Sequence, residues 1–319
     1  MRMRDDILMW IRCDPRPTMA SHIPPLDLDL WTTLAADDQA LAFFQAQTGL
    51  TDREEIEKHV LGVQARAYAS FPYTCIRVFS FLRLKIALLP AYSRAIKLLL
   101  EQPTALFLDV GCFFGTDARK VVADGVPAHN VIACDLRQEF WELGHALFKS
   151  TRASFPATFL AGDILNSKFL ASATSAPTPL TLASLRSLTE LQGHVSVLHI
   201  SFVFHLFSAL DQLAVISALA NLLSPLPGTI IFGAMIATRT AGLETFFRDE
   251  AERASGDGLE LYIHSPDSWS EILEGLFPQG SVRIETHFRG QGELRAAEDF
   301  VPVGLRGEEG IMDWSCERL

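Results

Sequence analysis

The sequence predicts an α/β fold: a doubly wound, mostly parallel sheet of seven strands with an N-terminal helical cap. Three observations carry this expectation. From residue 104 onward, short apolar runs alternate with helical stretches, the rhythm of a layered α/β domain. Those runs are apolar at successive positions, as strands covered on both faces are. Before about residue 101 the signals are helical only, so that part stands apart as a cap.

In the cap, "DQALAFFQAQTG" reads as a helix closed by Gly49. "TDREEIEKHVLGVQARAYASF" opens with Thr51 and, three residues on, Glu54, the pattern of a capping box. Its Ile56, Val60, Leu61 and Val63 approximate one apolar face. "FPYTCIRVFSFLRLKIALLPAYSRAIKLLL" gives two further helical stretches punctuated by Pro90. The predicted strands then follow in order: "TALFLDV", "HNVIACD", "ATFLAGD", "HVSVLHIS" and "GTIIFGAMIA". Helices are predicted at "TDARKVVADG", "RQEFWELGHALFKS", "LDQLAVISALANLL" and "PDSWSEILEGLF". The last two strands, "SVRIETHF" and "GIMDWSCERL", have no crossover helix between them, which predicts an antiparallel pair at or inside one edge. Residues 166–192, rich in Ser, Thr, Ala and Pro, read as a partly mobile insertion before the fourth strand. The expected organisation is a disordered leader over 1–30, the cap over 31–101 and the α/β domain over 102–319.

The chain has 319 residues, 49% of them hydrophobic, enough for an ordinary core. A net charge of -11 and scattered Lys/Arg argue against a nucleic-acid partner, which calls for a basic stripe. The five cysteines are widely spaced and form no C-x-x-C pair, so neither a zinc site nor a disulfide framework is expected. The N-terminal apolar run, Ile7 to Ile11, is too short for a secretory signal, and Met19 is an alternative start. The stretch 195–210, broken by His199, Ser201 and His205, is too short to span a bilayer. A cytoplasmic protein without a membrane span is expected; the oligomeric state is left open, a dimer included.

The segment "LFLDVGCFFGTDARK" runs from a strand into a glycine turn and a helix. Asp109, Gly111 and Gly115 fit a D-x-G-x-G-x-G cofactor loop, but Phe113 replaces the middle glycine. A dinucleotide pyrophosphate needs close backbone approach there, which Cys112, Phe113 and Phe114 crowd. A phosphate-free cofactor such as S-adenosylmethionine asks less of the turn. Asp135 at the end of the second strand suits the ribose hydroxyls, and Asp163 at the end of the third suits an adenine amino group. Any one such Asp is as well explained as a turn former; three at successive strand ends are less easily dismissed.

With "LDVGCFFGTD", "ACD" and "AGD" in that order, the chain resembles the class I S-adenosylmethionine-dependent methyltransferases, a Rossmann-like family, over roughly residues 100–319. A closer resemblance is to fungal natural-product methyltransferases of the meroterpenoid-pathway type. It rests on "FPYTCIRVFSFL", "GCFFGTDARK", "ELGHALFKS", "AGDIL", "FHLFSALDQ" and "HSPDSW". Such enzymes often carry a bulky residue at the Phe113 position. The resemblance implies S-adenosylmethionine as cofactor and a hydrophobic small-molecule acceptor, methylated at a carboxylate or hydroxyl. Its departure is "HISFVFHLF", where that family more often has small residues before the histidine.

The residues expected at the cofactor are Tyr73, Arg77, Asp109, Gly111, Cys112, Phe113, Gly115, Asp135, Leu136, Gly162, Asp163, Ile164 and Ser201. Arg77 is the candidate partner of the methionine carboxylate, with a solvated arginine as the plain alternative. His205, after the fourth strand, is the candidate catalytic residue, orienting the acceptor or deprotonating a hydroxyl; a core histidine bonded to a carbonyl is its plain alternative. His199, inside the strand, reads as packing or a backbone bond. Phe202, Phe204, Phe207 and Trp269, with His205, are the candidate acceptor wall, against plain core packing. Methylation at nitrogen or carbon, and a cofactor-binding protein that transfers nothing, stay open. A nicotinamide-dependent dehydrogenase is disfavoured by the turn. No metal is expected.

Overall fold

The computed structural model describes residues 25–26, 31, 37–172, 180–246, 259–294 and 308–319. Most of the expected leader and the middle of the 166–192 segment lie outside the described residues.

Helix α1 (Asp38–Thr48) begins where Asp37 accepts hydrogen bonds from the Gln39 and Ala40 amides, and it stops at Gly49, whose φ of 72° only glycine adopts freely. Helix α2 (Arg53–Ser70) is capped by Asp52, one residue later than expected, its carboxylate taking the Glu55 amide at 2.9 Å. A carboxylate at the positive end of the helix dipole outcompetes the Thr51 hydroxyl for that role. The helix buries Ile56, Val60, Val63 and Ala67, with Leu61 half-buried. Buried Gln64 donates to the carbonyls of Ile76 and Arg77, fixing the following turn, Thr74–Arg77. A second turn, Lys85–Leu88, leads to α3 (Tyr92–Glu101).

The strands, in chain order, are β1 (Leu106–Val110), β2 (Val131–Asp135), β3 (Thr158–Ala161), β4 (Val195–Ile200), β5 (Ile230–Thr238), β6 (Gly242–Phe246), β7 (Leu259–Ile263), β8 (Val282–Gly290) and β9 (Glu309–Arg318). Seven of them form one sheet in the order β3-β2-β1-β4-β5-β9-β8. The first five are parallel, and β9 lies antiparallel between β5 and β8, so the expected antiparallel pair stands at one edge. Helices α4 (Thr116–Ala123) and α5 (Gln138–Leu147) follow β1 and β2; α6 (Ala209–Ala220) follows β4, and α7 (Pro266–Gly275) precedes β8. One face of the sheet packs Val215, Ile216, Leu219, Trp269 and Leu273. The other packs Tyr92, Ala95, Leu99, Ala118, Val121 and Trp141. Both faces are covered over the central strands, which is why β1, β2, β4 and β5 read as continuous apolar runs, while the edge strand β8 alternates.

Two features differ from the sequence reading. Strands β6 and β7 form a separate antiparallel hairpin that no apolar run announced. It is tied to the end of β5 by a bridge between Ala237 and His264. The described ends of the 166–192 segment also bury Phe169, Leu170, Leu185, Leu188 and Leu191 in the main core. Its low-complexity composition concealed these anchors.

Candidate active site

The strand order reverses between β1 and β4, and ligands of such sheets bind beyond the C-terminal ends of the strands at that point. The turn 111–115 lies there. Gly111 (φ 72°) would press a Cβ onto Val203 at 2.5 Å, and Gly115 (φ 71°) would press one onto Trp141 at 2.5 Å. Both glycines therefore serve conformation and close packing together. The amides of Gly111 and Cys112 donate back to Cys134 O. Phe113 adopts φ 52°, a left-handed conformation a bulky side chain rarely takes, and its amide donates to Asp135 Oδ2 at 2.9 Å. Asp135 Oδ1 takes the Arg137 amide at 3.0 Å. Burial pushes the Asp135 carboxyl up to about 6 against these two bonds. Each of its oxygens keeps a further lone pair, as acceptance from ribose hydroxyls requires.

Asp109, near the end of β1, is buried, and its Oδ1 lies 2.8 Å from His199 Nδ1 while Oδ2 has no partner among the described residues. His199 Nε2 lies 2.7 Å from Ser201 Oγ, which accepts the Ala234 amide at 3.0 Å. This chain of side chains follows from register, since Asp109 and His199 face each other across the β1–β4 pair. His199 thus does more than the packing or backbone bond its sequence context suggested. Asp117, on α4, also faces this group. Its carboxyl is raised by burial and drawn back by the His199 ring and Lys85, and it accepts the Ile86 amide. Asp117 lies within the quoted "GCFFGTDARK" stretch but is not among the expected site residues, and Lys85 lies outside every motif quoted for the resemblance.

The remaining expected cofactor residues divide. Asp163 accepts the Leu165 amide in a local turn, and Ile164 packs against the core beside it. Gly162 is required by packing, since a Cβ would meet the Phe169 ring. Leu136 is exposed. The Cys112 side chain is buried in the core under the turn, and burial holds its thiol well above the usual range. Tyr73 belongs to an aromatic cluster, 5.7 Å from Phe140, which stands 4.4 Å from Phe113. Arg77 donates through Nε to Pro25 O.

Of the expected acceptor wall, Phe204 and Trp269 lie deep in the core with ring centroids 4.8 Å apart, and Phe207 is buried with them. Aromatic rings next to a site motif are as easily spent on the core as on a pocket, and the sequence could not separate the two. Phe202 is different: at φ 56°, its ring packs against Ile236, Leu261 and Ile263, with Lys85 Nζ 5.6 Å from its centroid. His205 stands in the turn after β4; burial pushes its imidazole down to about 4, and Nδ1 has no partner among the described residues. A cleft of about 560 Å³ opens elsewhere, at the N-terminal ends of β1 and β4, beside His129 and His194. That cleft lies at the opposite end of the sheet from the 111–115 turn, Asp109 and Asp135, and ligands of such sheets bind at the C-terminal strand ends. Among the described residues no cluster of His, Cys, Asp and Glu could hold a metal, and no helix is long and apolar enough to cross a membrane.

Comparison with known proteins decides the family. Residues 30–82 match the meroterpenoid methyltransferase N-terminal domain. The methyltransferase ausD of Aspergillus calidoustus is 31% identical over 236 residues, covering 74% of this chain and 75% of that protein. The chain belongs to the fungal natural-product methyltransferases. As a member it is an S-adenosylmethionine-dependent methyltransferase. The asnovolin E/chermesin D methyltransferase nvfJ of Aspergillus novofumigatus is 30% identical, over 74% of this chain and 75% of that one. The O-methyltransferase atr3 of Stereocaulon alpinum is 32% identical over 58% of this chain and 48% of its own length. Among solved structures, the S-adenosylmethionine-dependent methyltransferase from Mesorhizobium loti aligns with 73% of this chain and all of its own, at 13% identity and a TM-score of 0.41. The residues fit the cofactor: the Phe113 amide, which a pyrophosphate would need, is taken by a carboxylate that would itself repel phosphate.

Proposed function

We propose that this methyltransferase O-methylates an apolar small molecule of secondary metabolism. The bond from the Phe113 amide to Asp135 carries the cofactor half of the reading, because it turns the glycine turn from a phosphate cradle into a support for a ribose-binding carboxylate. When bound, S-adenosylmethionine supplies an electrophilic methyl group to the acceptor oxygen and leaves as S-adenosylhomocysteine. Asp135, and Asp163 beside it, would hold the nucleoside, and buried Asp109 would face the cationic part. Tyr73 and Arg77 would close the cap side.

The acceptor would lie against Phe202 and the apolar wall of Ile236, Leu261 and Ile263 that the β6–β7 hairpin completes. His205 is neutral at pH 7, since burial pushes it down to about 4. It is therefore suited to orienting the acceptor rather than to retaining its proton. The meroterpenoid methyltransferase family matched by residues 30–82 and the name of the O-methyltransferase atr3 support this reading, one for the acceptor class and the other for O-methylation. The test is calorimetry with S-adenosylmethionine and with NADH, followed by S-adenosylhomocysteine release from terpenoid acids, phenols and indoles. Tight NADH binding without S-adenosylmethionine binding refutes the cofactor half; turnover of indoles or small polar amines alone refutes the acceptor half.

A further inference from the structure

Lys85 stands where the cap meets the acceptor wall. Its backbone is fixed from α4: Asp117 Oδ1 accepts the amide of the next residue, Ile86, at 3.1 Å, and the Ile86 side chain is fully buried. The Lys85 side chain is half-buried. Its Nζ lies 5.6 Å from the centroid of the Phe202 ring, within reach of a cation–π contact. Burial raises the Asp117 carboxyl and the Cys75 thiol, and the Lys85 charge draws both back. The ammonium is therefore placed among three elements: the cap turn Thr74–Arg77, the start of α4, and Phe202 beyond β4. It carries three N–H donors on a flexible stem, so it can reach an acceptor oxygen without giving up these neighbours.

The geometry points to Lys85 as the residue that binds the reacting group of the acceptor while that group is an anion, and that releases it once methylation has made it neutral. The proposal rests on the O-methyltransferase reading and adds to it the residue that tells substrate from product. The argument is one of charge. A carboxylate is ionised at pH 7. As one of its oxygens forms the bond to the methyl carbon, the carbon–sulfur bond breaks and its electron pair stays on sulfur. The acceptor's negative charge and the sulfonium's positive charge vanish together, and no proton moves. An anion held by Lys85 thus becomes a neutral ester, which loses the charge-assisted bond. Phe202 and the apolar wall hold the rest of the molecule equally before and after transfer. Because the Lys85 interaction weakens along the reaction, it aligns the acceptor rather than stabilising the transition state, so its removal appears mainly in KM. The methionine carboxylate of the cofactor is the rival anion. The Phe202 contact argues for the acceptor, since that ring packs on the wall of Ile236, Leu261 and Ile263.

Calorimetry in the presence of S-adenosylhomocysteine tests this with two probes, a geranylated benzoic acid and its methyl ester. The wild type should bind the acid about tenfold or more tightly than the ester. Lys85→Met keeps an apolar stem and removes the charge. It should weaken acid binding about 10–100-fold, the loss of one charge-assisted bond, and bring the two affinities close together. Lys85→Arg should keep most of the wild-type preference. A purely structural role would weaken acid and ester alike and leave their ratio intact, an outcome that overturns the proposal. Affinity for S-adenosylmethionine is the second readout. Its sulfonium is a cation, so removing a nearby cation should not weaken its binding. If Lys85→Met instead loses that affinity and keeps the acid-to-ester ratio, Lys85 holds the methionine carboxylate and the proposal falls. In turnover, Lys85→Met should raise KM for the acid by more than it lowers kcat; a loss confined to kcat overturns the proposal. The wild-type ratio keeps the test decisive if Lys85→Met does not fold, because an ester bound as tightly as the acid is already a refutation. Methylation of the matching geranylated phenol but not of the acid also overturns it, while leaving the O-methyltransferase reading intact. A chain that binds no S-adenosylmethionine overturns both.

Discussion

Gly144 lies in the interior of α5, where replacing glycine by alanine ordinarily favours the helix by about 0.5–1 kcal/mol. The structure predicts the opposite sign. A Cβ at Gly144 would stand 2.8 Å from the Phe114 carbonyl carbon and 3.1 Å from its Cα, and nearer still to the carbonyl oxygen. These are backbone atoms of the glycine turn, so no side-chain rotation relieves the overlap. Restoring ordinary carbon–carbon separations of about 3.5–4.0 Å requires α5 to withdraw by roughly 1 Å. Such overpacking costs about 1–3 kcal/mol, which outweighs the propensity gain. The net expectation for Gly144→Ala is a loss of about 1–2 kcal/mol, read as a lower midpoint in urea with unchanged slope, together with weaker S-adenosylmethionine binding by calorimetry. Gly62→Ala is the internal control. Gly62 is exposed in α2, and a methyl group there would meet nothing within 4 Å, so the substitution should gain about 0.5–1 kcal/mol. If Gly144→Ala proves as stable as the wild type, the close seating of α5 on the turn is wrong.

Other outcomes follow from the same geometry. Asp135, raised to about 6 by burial, should lose its charge as pH falls through that value; S-adenosylmethionine affinity should drop over that range, and Asp135→Asn should weaken binding at pH 8 far more than at pH 5. His205 and His264 are both pushed down to about 4 by burial, so the unfolded chain binds more protons between about 6.5 and 4. Stability from these groups is therefore complete above about 6.5 and is lost as pH falls toward 4, a loss that His264→Gln should reduce in urea titrations at pH 5. Trp269→Ala removes a fully buried ring packed on Phe204 and Trp314 and should cost about 3–5 kcal/mol by the same measurement.

The sequence reading located the parallel strands because their apolar runs are nearly continuous, and the β8–β9 pair because no helix separates them; it singled out Asp109, Asp135 and Asp163 because polar residues follow such runs at strand ends. The β6–β7 hairpin escaped because "GLETF" and "LELYI" mix charge with apolar residues and are separated by residues 247–258. The Asp109–His199 pair escaped for another reason. It joins residues ninety positions apart through the register of two parallel strands, and periodicity within one strand holds no information on register with another. The same limit governs the aromatics. Phe202 lines the apolar wall and Phe204 fills the core two residues later, a difference set by the left-handed backbone at Phe202.

The change of sequence rhythm near residue 101 is not matched by a seam in the packing. Phe114 and Phe140 share one buried cluster with Ile56, Val60, Ile76 and Phe81 of the cap, and the Phe81 and Phe114 rings meet at 4.9 Å. A chain beginning at residue 102 would therefore open a greasy scar beside the 111–115 turn and should aggregate rather than behave as a smaller enzyme. Lifting the cap away would unstack the Phe81 and Phe114 rings that pack behind the turn.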